Sequence, residues 1–208
     1  ICGLTVSAIT DLIKEIKRDK GQSLDLEFLA QHRGSVLGYD PNAKQPSQKK
    51  FETKIWHELK KLDQTRPVFI ESESKKIGDL RIPEPLISAF RQGFCINITA
   101  DINKRTDYLK QNYAHLILEP STLAIQLNKL RSRHGNSGVD FWLDLISKGN
   151  WDEFIRDLLH KHYDASYSKS MQKNFHTFLQ APNYQLDTLS HDALSSTVEA
   201  ILSNYSTI

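Results

Sequence analysis

The chain has 208 residues, 39% of them hydrophobic and 25% charged, which is the balance of a soluble globular protein and excludes disorder as the main state. Its formal charge of +2 comes from 27 Lys and Arg against 25 Asp and Glu, which rules out a strongly basic nucleic-acid wrapper but leaves room for a local basic patch. The first hundred residues hold 16 basic and 13 acidic side chains and the rest hold 11 and 12, so an anionic partner is expected to meet the first half. Cys2 and Cys95 form no Cys-x-x-Cys pair and read as two buried thiols of a reduced, cytoplasmic chain. No apolar run approaches the ~20 residues of a membrane span. The chain begins at Ile1 and runs straight into pattern, so it reads as a piece of something longer.

In chain order, Ile1-Cys2 is a strand stub, and a helix follows over 7–20 with Ile9, Leu12, Ile13 and Ile16 on one face. Gly21 closes that helix, and Leu24 to Leu29 reads as a strand. Residues 33–45 are a loop rich in Gly, Pro, Asn and Asp. Pro46 opens a second helix carrying Phe51, Ile55, Leu59 and Leu62. Pro67 to Ile70 is a short strand ending in Glu71-Ser72-Glu73-Ser74. A helix over 83–92, a strand over 94–99 and a helix starting at Asp101 complete an alternation that predicts a parallel sheet covered on both faces.

After Ala100 the pattern predicts helices only, over 120–133, 139–147, 151–162 and from Ser190 onward. Ser190 is placed to cap the last helix, with Leu189 and Leu194 as a hydrophobic staple. The expected organisation is therefore an α/β domain over 1–118 with a helical extension over 119–208, the two forming one structural unit. Because about 3.3 Å per residue is all a strand can span, the first strand is expected to lie mostly before Ile1 or to leave an open slot in the sheet.

Gly3-Leu4-Thr5-Val6-Ser7-Ala8-Ile9-Thr10 stands where a phosphate loop would stand. Such a loop needs glycines so that backbone N–H groups can wrap phosphate, a Lys to neutralise it, and a Ser or Thr to hold Mg²⁺. Gly3 and Thr10 fit that pattern, whereas Ala8 replaces the second Gly and Ile9 replaces the Lys. Losing the Lys removes a charge-assisted hydrogen bond and leaves only the weaker pull of the helix N-terminus. Tight triphosphate binding, weak or altered anion binding, and a turn that binds nothing all remain open. The second candidate is the end of the strand at Val68–Ile70, where Glu71 and Glu73 could hold Mg²⁺ or position water and Lys75, Lys76 and Arg81 could meet phosphate. His32-Arg33-Gly34 is placed in the same way. His160 and His162 point to different sides of their helix and predict no metal site.

Several blocks resemble the tRNA 2-selenouridine synthase family. They are Asp25-Leu26-Glu27-Phe28-Leu29-Ala30-Gln31-His32-Arg33-Gly34-Ser35, Gln45-Pro46-Ser47-Gln48-Lys49-Lys50-Phe51-Glu52, and Arg66-Pro67-Val68-Phe69-Ile70-Glu71-Ser72-Glu73-Ser74-Lys75-Lys76-Ile77-Gly78. Ile82-Pro83-Glu84-Pro85-Leu86 and Tyr163-Asp164-Ala165-Ser166-Tyr167 follow in order, and residues 171–208 show no match. The resemblance implies a P-loop-like α/β domain that in the whole protein follows a rhodanese-like domain with a reactive Cys. It implies a transferase acting on the wobble uridine of tRNA, replacing sulfur in 2-thiouridine with selenium from selenophosphate through an S-geranylated intermediate made from geranyl diphosphate. Cys2 and Cys95 match neither role, and the piece alone is expected to be inactive. Residue by residue, Gly3, Thr5, Ser7 and Thr10 fall in the diphosphate loop. His32, Arg33, Gly34, Gln48, Ser74 and Lys75 fall in the substrate or tRNA site, which Lys76 and Arg81 join from the reading of the strand end above, and Glu71 and Glu73 are the catalytic candidates. Mg²⁺ is a further candidate ligand. The alternatives are a non-catalytic tRNA- or partner-binding module and a decayed fragment.

Overall fold

The computed structural model describes residues 1–5, 7–34 and 44–205; Val6, Ser35 and most of the expected 33–45 loop lie outside the described residues. The elements in order are β1 (Cys2–Gly3), α1 (Ile9–Arg18), β2 (Gln22–Leu24), α2 (Leu26–Ala30), α3 (Gln48–Leu59), β3 (Val68–Ile70), β4 (Lys76–Ile77), β5 (Leu80–Arg81), α4 (Glu84–Gln92) and β6 (Asn97–Ala100). There follow α5 (Ile102–Asn112), α6 (Ala114–Leu118), α7 (Pro120–Asn128), α8 (Arg131–Ser147), α9 (Trp151–Leu158), a π-helical turn (Leu159–Asp164), α10 (Ala165–Asn174), β7 (Asn183–Leu186) and α11 (His191–Tyr205). No helix among the described residues is long and apolar enough to cross a membrane.

Strands β2 and β3 pair in parallel, as do β1 with β6 and β6 with β7. Ile1 joins these groups: its N–H donates to the Ile70 carbonyl at 2.5 Å, and its carbonyl accepts from Ser72 N at 2.9 Å. The strand order read through Ile1 is thus β2-β3-β1-β6-β7, a P-loop-like parallel sheet. The expected open slot is not found, because residues 1–3 pair on both sides despite their shortness.

Helix α1 buries Leu12, Ile13 and Ile16 on the stripe that its spacing predicted. They share one core with Ile98 of β6 and with Leu194, Val198 and Ile201 of α11. Gly21 ends the α1 connection because a Cβ there would sit 2.6 Å from the Ile16 side chain and 2.9 Å from its carbonyl oxygen. A second core packs α2, α3, the β4–β5 hairpin and α4 around Phe51, Ile55 and Ile77. A third, built on Trp142, Leu127 and Leu159, belongs to the helices after α5. The two thiols are buried as expected, with their sulfurs 3.3 Å apart.

Four expectations change. The strand expected at 24–29 falls earlier, at Gln22–Leu24, because Asp25 accepts from Phe28 N and starts a helix whose Leu26, Leu29 and Ala30 are buried. The absence of strands after Ala100 is overturned by β7, an edge strand in which only Leu186 is buried, so its sequence carries almost no apolar signal. After residue 118 the chain is otherwise helical, and α11 packs into the sheet core beside β7. The helix expected over 151–162 is α-helical only to Leu158 and widens into the π-turn, and that expected over 120–133 stops at Asn128.

Candidate functional site

A cavity of about 450 Å³ opens beyond the carboxyl ends of the strands, within the size range of small-molecule sites and where ligands enter open α/β sheets. Gly3, Thr5, Ser7 and Thr10 line it, together with His32, Arg33, Glu71 and Glu73. Gly3 is required by close approach, since a Cβ would meet the Ile98 carbonyl oxygen at 2.6 Å. Ala8 adopts φ 53°, a left-handed conformation that suits the glycine it replaces. Ser7 is buried, and its hydroxyl has no hydrogen-bond partner among the described residues. Ala8 and Gly3 thus each sit where backbone geometry favours glycine, and no Lys stands between Gly3 and Thr10.

The loop is held from behind by Arg105, a buried residue that the sequence did not single out. Its Nε donates to the Thr5 carbonyl at 2.9 Å, and its two terminal nitrogens donate to Asp164 at 3.0 and 2.6 Å. The π-turn gives this cluster its shape, because one wide turn presents Tyr163 and Asp164 and leads directly to Tyr167. Tyr167 lines the main cavity, and Tyr163 lines a smaller one. That second cavity, about 60 Å³ and almost wholly apolar, is walled by Leu116, Leu123, Trp151, Phe154 and Leu158. It shares Thr5 and Tyr113 with the main cavity.

Opposite the loop lies an acidic cluster. Glu71 is buried, and its Oε1 accepts from Glu27 N at 2.9 Å, while Glu27 Oε2 accepts from the Thr10 hydroxyl at 2.9 Å. Burial pushes the Glu27 carboxyl up to about 7, with nearby Asp25 adding to the rise. Burial and then the Glu27 charge push Glu73 up to about 8, and burial with both of these neighbours holds Glu71 well above the usual carboxylate range. Near neutral pH the cluster therefore stores protons. Gly34 closes it: at φ 67° it has left-handed backbone, and a Cβ would lie 2.7 Å from Glu27 Oε1 and 3.1 Å from Glu73 Oε1.

Cations reach the rim from other elements. Arg33 stacks over the Tyr113 ring at 4.8 Å and donates to the Asn112 carbonyl at 3.3 Å. Lys14 and Lys54 also line the cavity. The remaining expected residues do not line it. Gln48 donates to the Arg81 carbonyl and accepts from Arg81 N, tying α3 to β5. Ser74 donates to the Lys76 carbonyl, Lys75 pairs with Glu84 at 2.7 Å, and Lys76 pairs with Asp79 at 3.7 Å. The convergence expected of the two strand-end turns thus includes Arg33, Glu71 and Glu73 but leaves out Lys75.

The donor set does not fit Mg²⁺ as it stands. The Thr10 hydroxyl is committed to Glu27, the carboxyls facing it are pushed toward their acid form by burial, and no group of three His, Cys, Asp or Glu among the described residues has ligating geometry. His162, expected to face away from His160, is buried and hydrogen-bonds His134 at 2.9 Å, a pair that serves the helical core.

A family model for the tRNA 2-selenouridine synthase AAA domain matches residues 1–135. Among curated proteins, tRNA 2-selenouridine synthase of Aeromonas salmonicida is 33% identical over 55% of this chain and 30% of its own length. That of Alcanivorax borkumensis is 34% identical over 86% of the chain and 56% of its own length. That of Shewanella sp. strain MR-4 is 28% identical over 92% of the chain and 57% of its own length. The last alignment covers more than residues 1–170 could supply, so it reaches into the stretch that had shown no resemblance. The chain spans between about a third and three-fifths of these relatives. No solved structure matches. The match over residues 1–135, which hold every residue lining the main cavity except Tyr167, shows that this chain belongs to the tRNA 2-selenouridine synthase AAA-domain family.

Proposed function

We propose that this chain is the part of a tRNA-modifying transferase that holds an allylic diphosphate against a thiolated uridine, on the way to replacing that sulfur with selenium. The substrates are geranyl diphosphate and selenophosphate, the intermediate is S-geranylated, and in the whole protein a rhodanese-like domain with a reactive Cys works beside it. The observation that carries this reading is the pairing of two cavities, one at the strand ends lined by both charged and apolar side chains and a smaller apolar one that shares Thr5 and Tyr113 with it. An amphiphile with a charged head and a hydrocarbon tail fits such a pair, with the smaller cavity taking the end of the tail.

In the geranylation step the uridine sulfur attacks the first carbon of the geranyl group. The carbon–oxygen bond breaks, diphosphate leaves with the electron pair, and the proton released from uridine N3 passes to the departing diphosphate. The leaving charge falls to the free N–H groups at the start of α1 and to Lys14 and Arg33 at the rim. Glu73 and Glu27, pushed toward their acid form by burial, lower the repulsion that a fully ionised cluster would present to the diphosphate. Calorimetric titration with geranyl diphosphate tests this, against inorganic diphosphate as the tail-less control. Rebuilding the loop by Val6→Gly, Ala8→Gly and Ile9→Lys should raise affinity about tenfold, the worth of one charge-assisted hydrogen bond. No gain would favour a second reading, a docking module without catalysis, which the apolar Ile9 at the cation position supports. Salt-dependent tRNA binding without turnover by the whole protein would favour it further.

A further inference from the structure

Helix α3 buries a single stripe, Phe51 and Ile55, and leaves the rest of its surface open. On that open surface lie Lys49, Lys50, Thr53, Trp56, His57, Lys60 and Lys61. From residue 49 to residue 61 there are five lysines and two glutamates. Glu58 is engaged by Lys17 and Lys61, and Glu52 by Gln48. Lys49 and Lys50 make no ion pair among the described residues. Trp56 is 56% exposed, with the Lys60 Nζ 5.8 Å above its ring and the His57 ring edge-on at 5.0 Å. Lone exposed apolar side chains are ordinary; a large flat ring held among cations is a stacking platform. The surface runs on to the cavity, because Lys54 of the same helix and the 72%-exposed Phe28 both line the cavity rim.

We propose that this face of α3 is where RNA docks. Trp56 stacks an unpaired base, Lys49, Lys50 and Lys60 meet phosphates, and the strand continues past Phe28 and Lys54 toward the cavity. The proposal rests on the tRNA reading above and specifies the surface that holds the tRNA. Charge complementarity favours a polyanion, and the tryptophan favours one that carries bases. The exposed apolar area on the helix, Trp56 and Leu59, is too narrow for an amphipathic membrane face.

The test uses the 208-residue chain with bulk tRNA, heparin as a polyanion without bases, and phosphatidylserine vesicles. Trp56→Ala should weaken tRNA binding about tenfold and leave heparin binding unchanged. The triple variant Lys49→Gln, Lys50→Gln, Lys60→Gln should weaken both and reduce the salt slope of tRNA binding by about two. Lys129→Gln, Lys148→Gln, Lys161→Gln, with the same charge change on the helical part, should alter neither. Thermal unfolding of each variant checks that the fold is kept. Unchanged tRNA binding in both α3 variants overturns this surface and leaves the tRNA reading standing. Absence of tRNA binding by the unaltered chain overturns both, and a larger loss on vesicles than on tRNA overturns the RNA assignment.

Discussion

The two turns that flank the cavity differ in what they have kept. The turn between β1 and α1 has a left-handed Ala8, a crowded Gly3 and a Thr5 carbonyl fixed by Arg105, yet carries no cation of its own. The turn after β3 holds Glu71 and Glu73 against Glu27. Its expected cations, Lys75 and Lys76, are spent on Glu84 and Asp79. One side preserves backbone geometry and the other preserves titratable chemistry. The form of the first turn is fixed by packing behind it, through Arg105 on the Thr5 carbonyl.

That contrast can be broken most forcefully from behind the loop. Arg105→Ala should cost about 3–5 kcal/mol in denaturant unfolding, because it leaves Asp164 partly buried and uncompensated and frees the Thr5 carbonyl. If the cost is below about 1 kcal/mol, the loop is held by something else. The acidic side is probed next, through pH. Carboxyls whose folded pKa is raised favour folding at low pH, and that contribution is lost as pH rises from the usual carboxylate range through about 8. Glu73→Gln should therefore be more stable than the unaltered chain by about 4 kcal/mol at pH 8 and by less than about 1 kcal/mol at pH 5. The opposite trend would mean that the carboxylate is ionised and paired.

Smaller effects sharpen the same contrast. Ala8→Gly relieves a left-handed alanine, loses one buried methyl and loosens the unfolded chain, terms that cancel to within about 0.5 kcal/mol. A large loss of stability would show that the Ala8 methyl, rather than the backbone, holds the turn. Smallest is Lys75→Gln, which should leave both the unfolding midpoint and diphosphate affinity unchanged, whereas Arg33→Gln should weaken diphosphate binding by several-fold.

Much of the site was legible in the sequence because its pieces are local. The Gly3–Thr10 turn follows a strand and opens a helix, and the position of Gly34 reflects a left-handed turn that its residue type announces. Glu27 lay inside a recognised block without drawing notice, since nothing in its neighbours shows that Glu71 and Thr10, from distant segments, will meet it. Arg105 was silent for the same reason: on the α5 pattern it is one more polar helix residue, and only its contacts with Thr5 and Asp164 give it a role.

What the chain determined by itself were its periodic elements and its turn chemistry. The stripe of α1, the cap of α11 at Ser190 and the departure of Ile9 from lysine can each be read from a few adjacent residues, because helix period, capping and charge are short-range properties. Tertiary structure alone decided that Asn183–Leu186 joins the sheet beside β6, that a wide turn at Leu159–Asp164 braces the loop from behind, and that Lys75 leaves the cavity for Glu84. Each of these depends on partners more than eight residues away, whose free energy of contact outweighs a weak local preference.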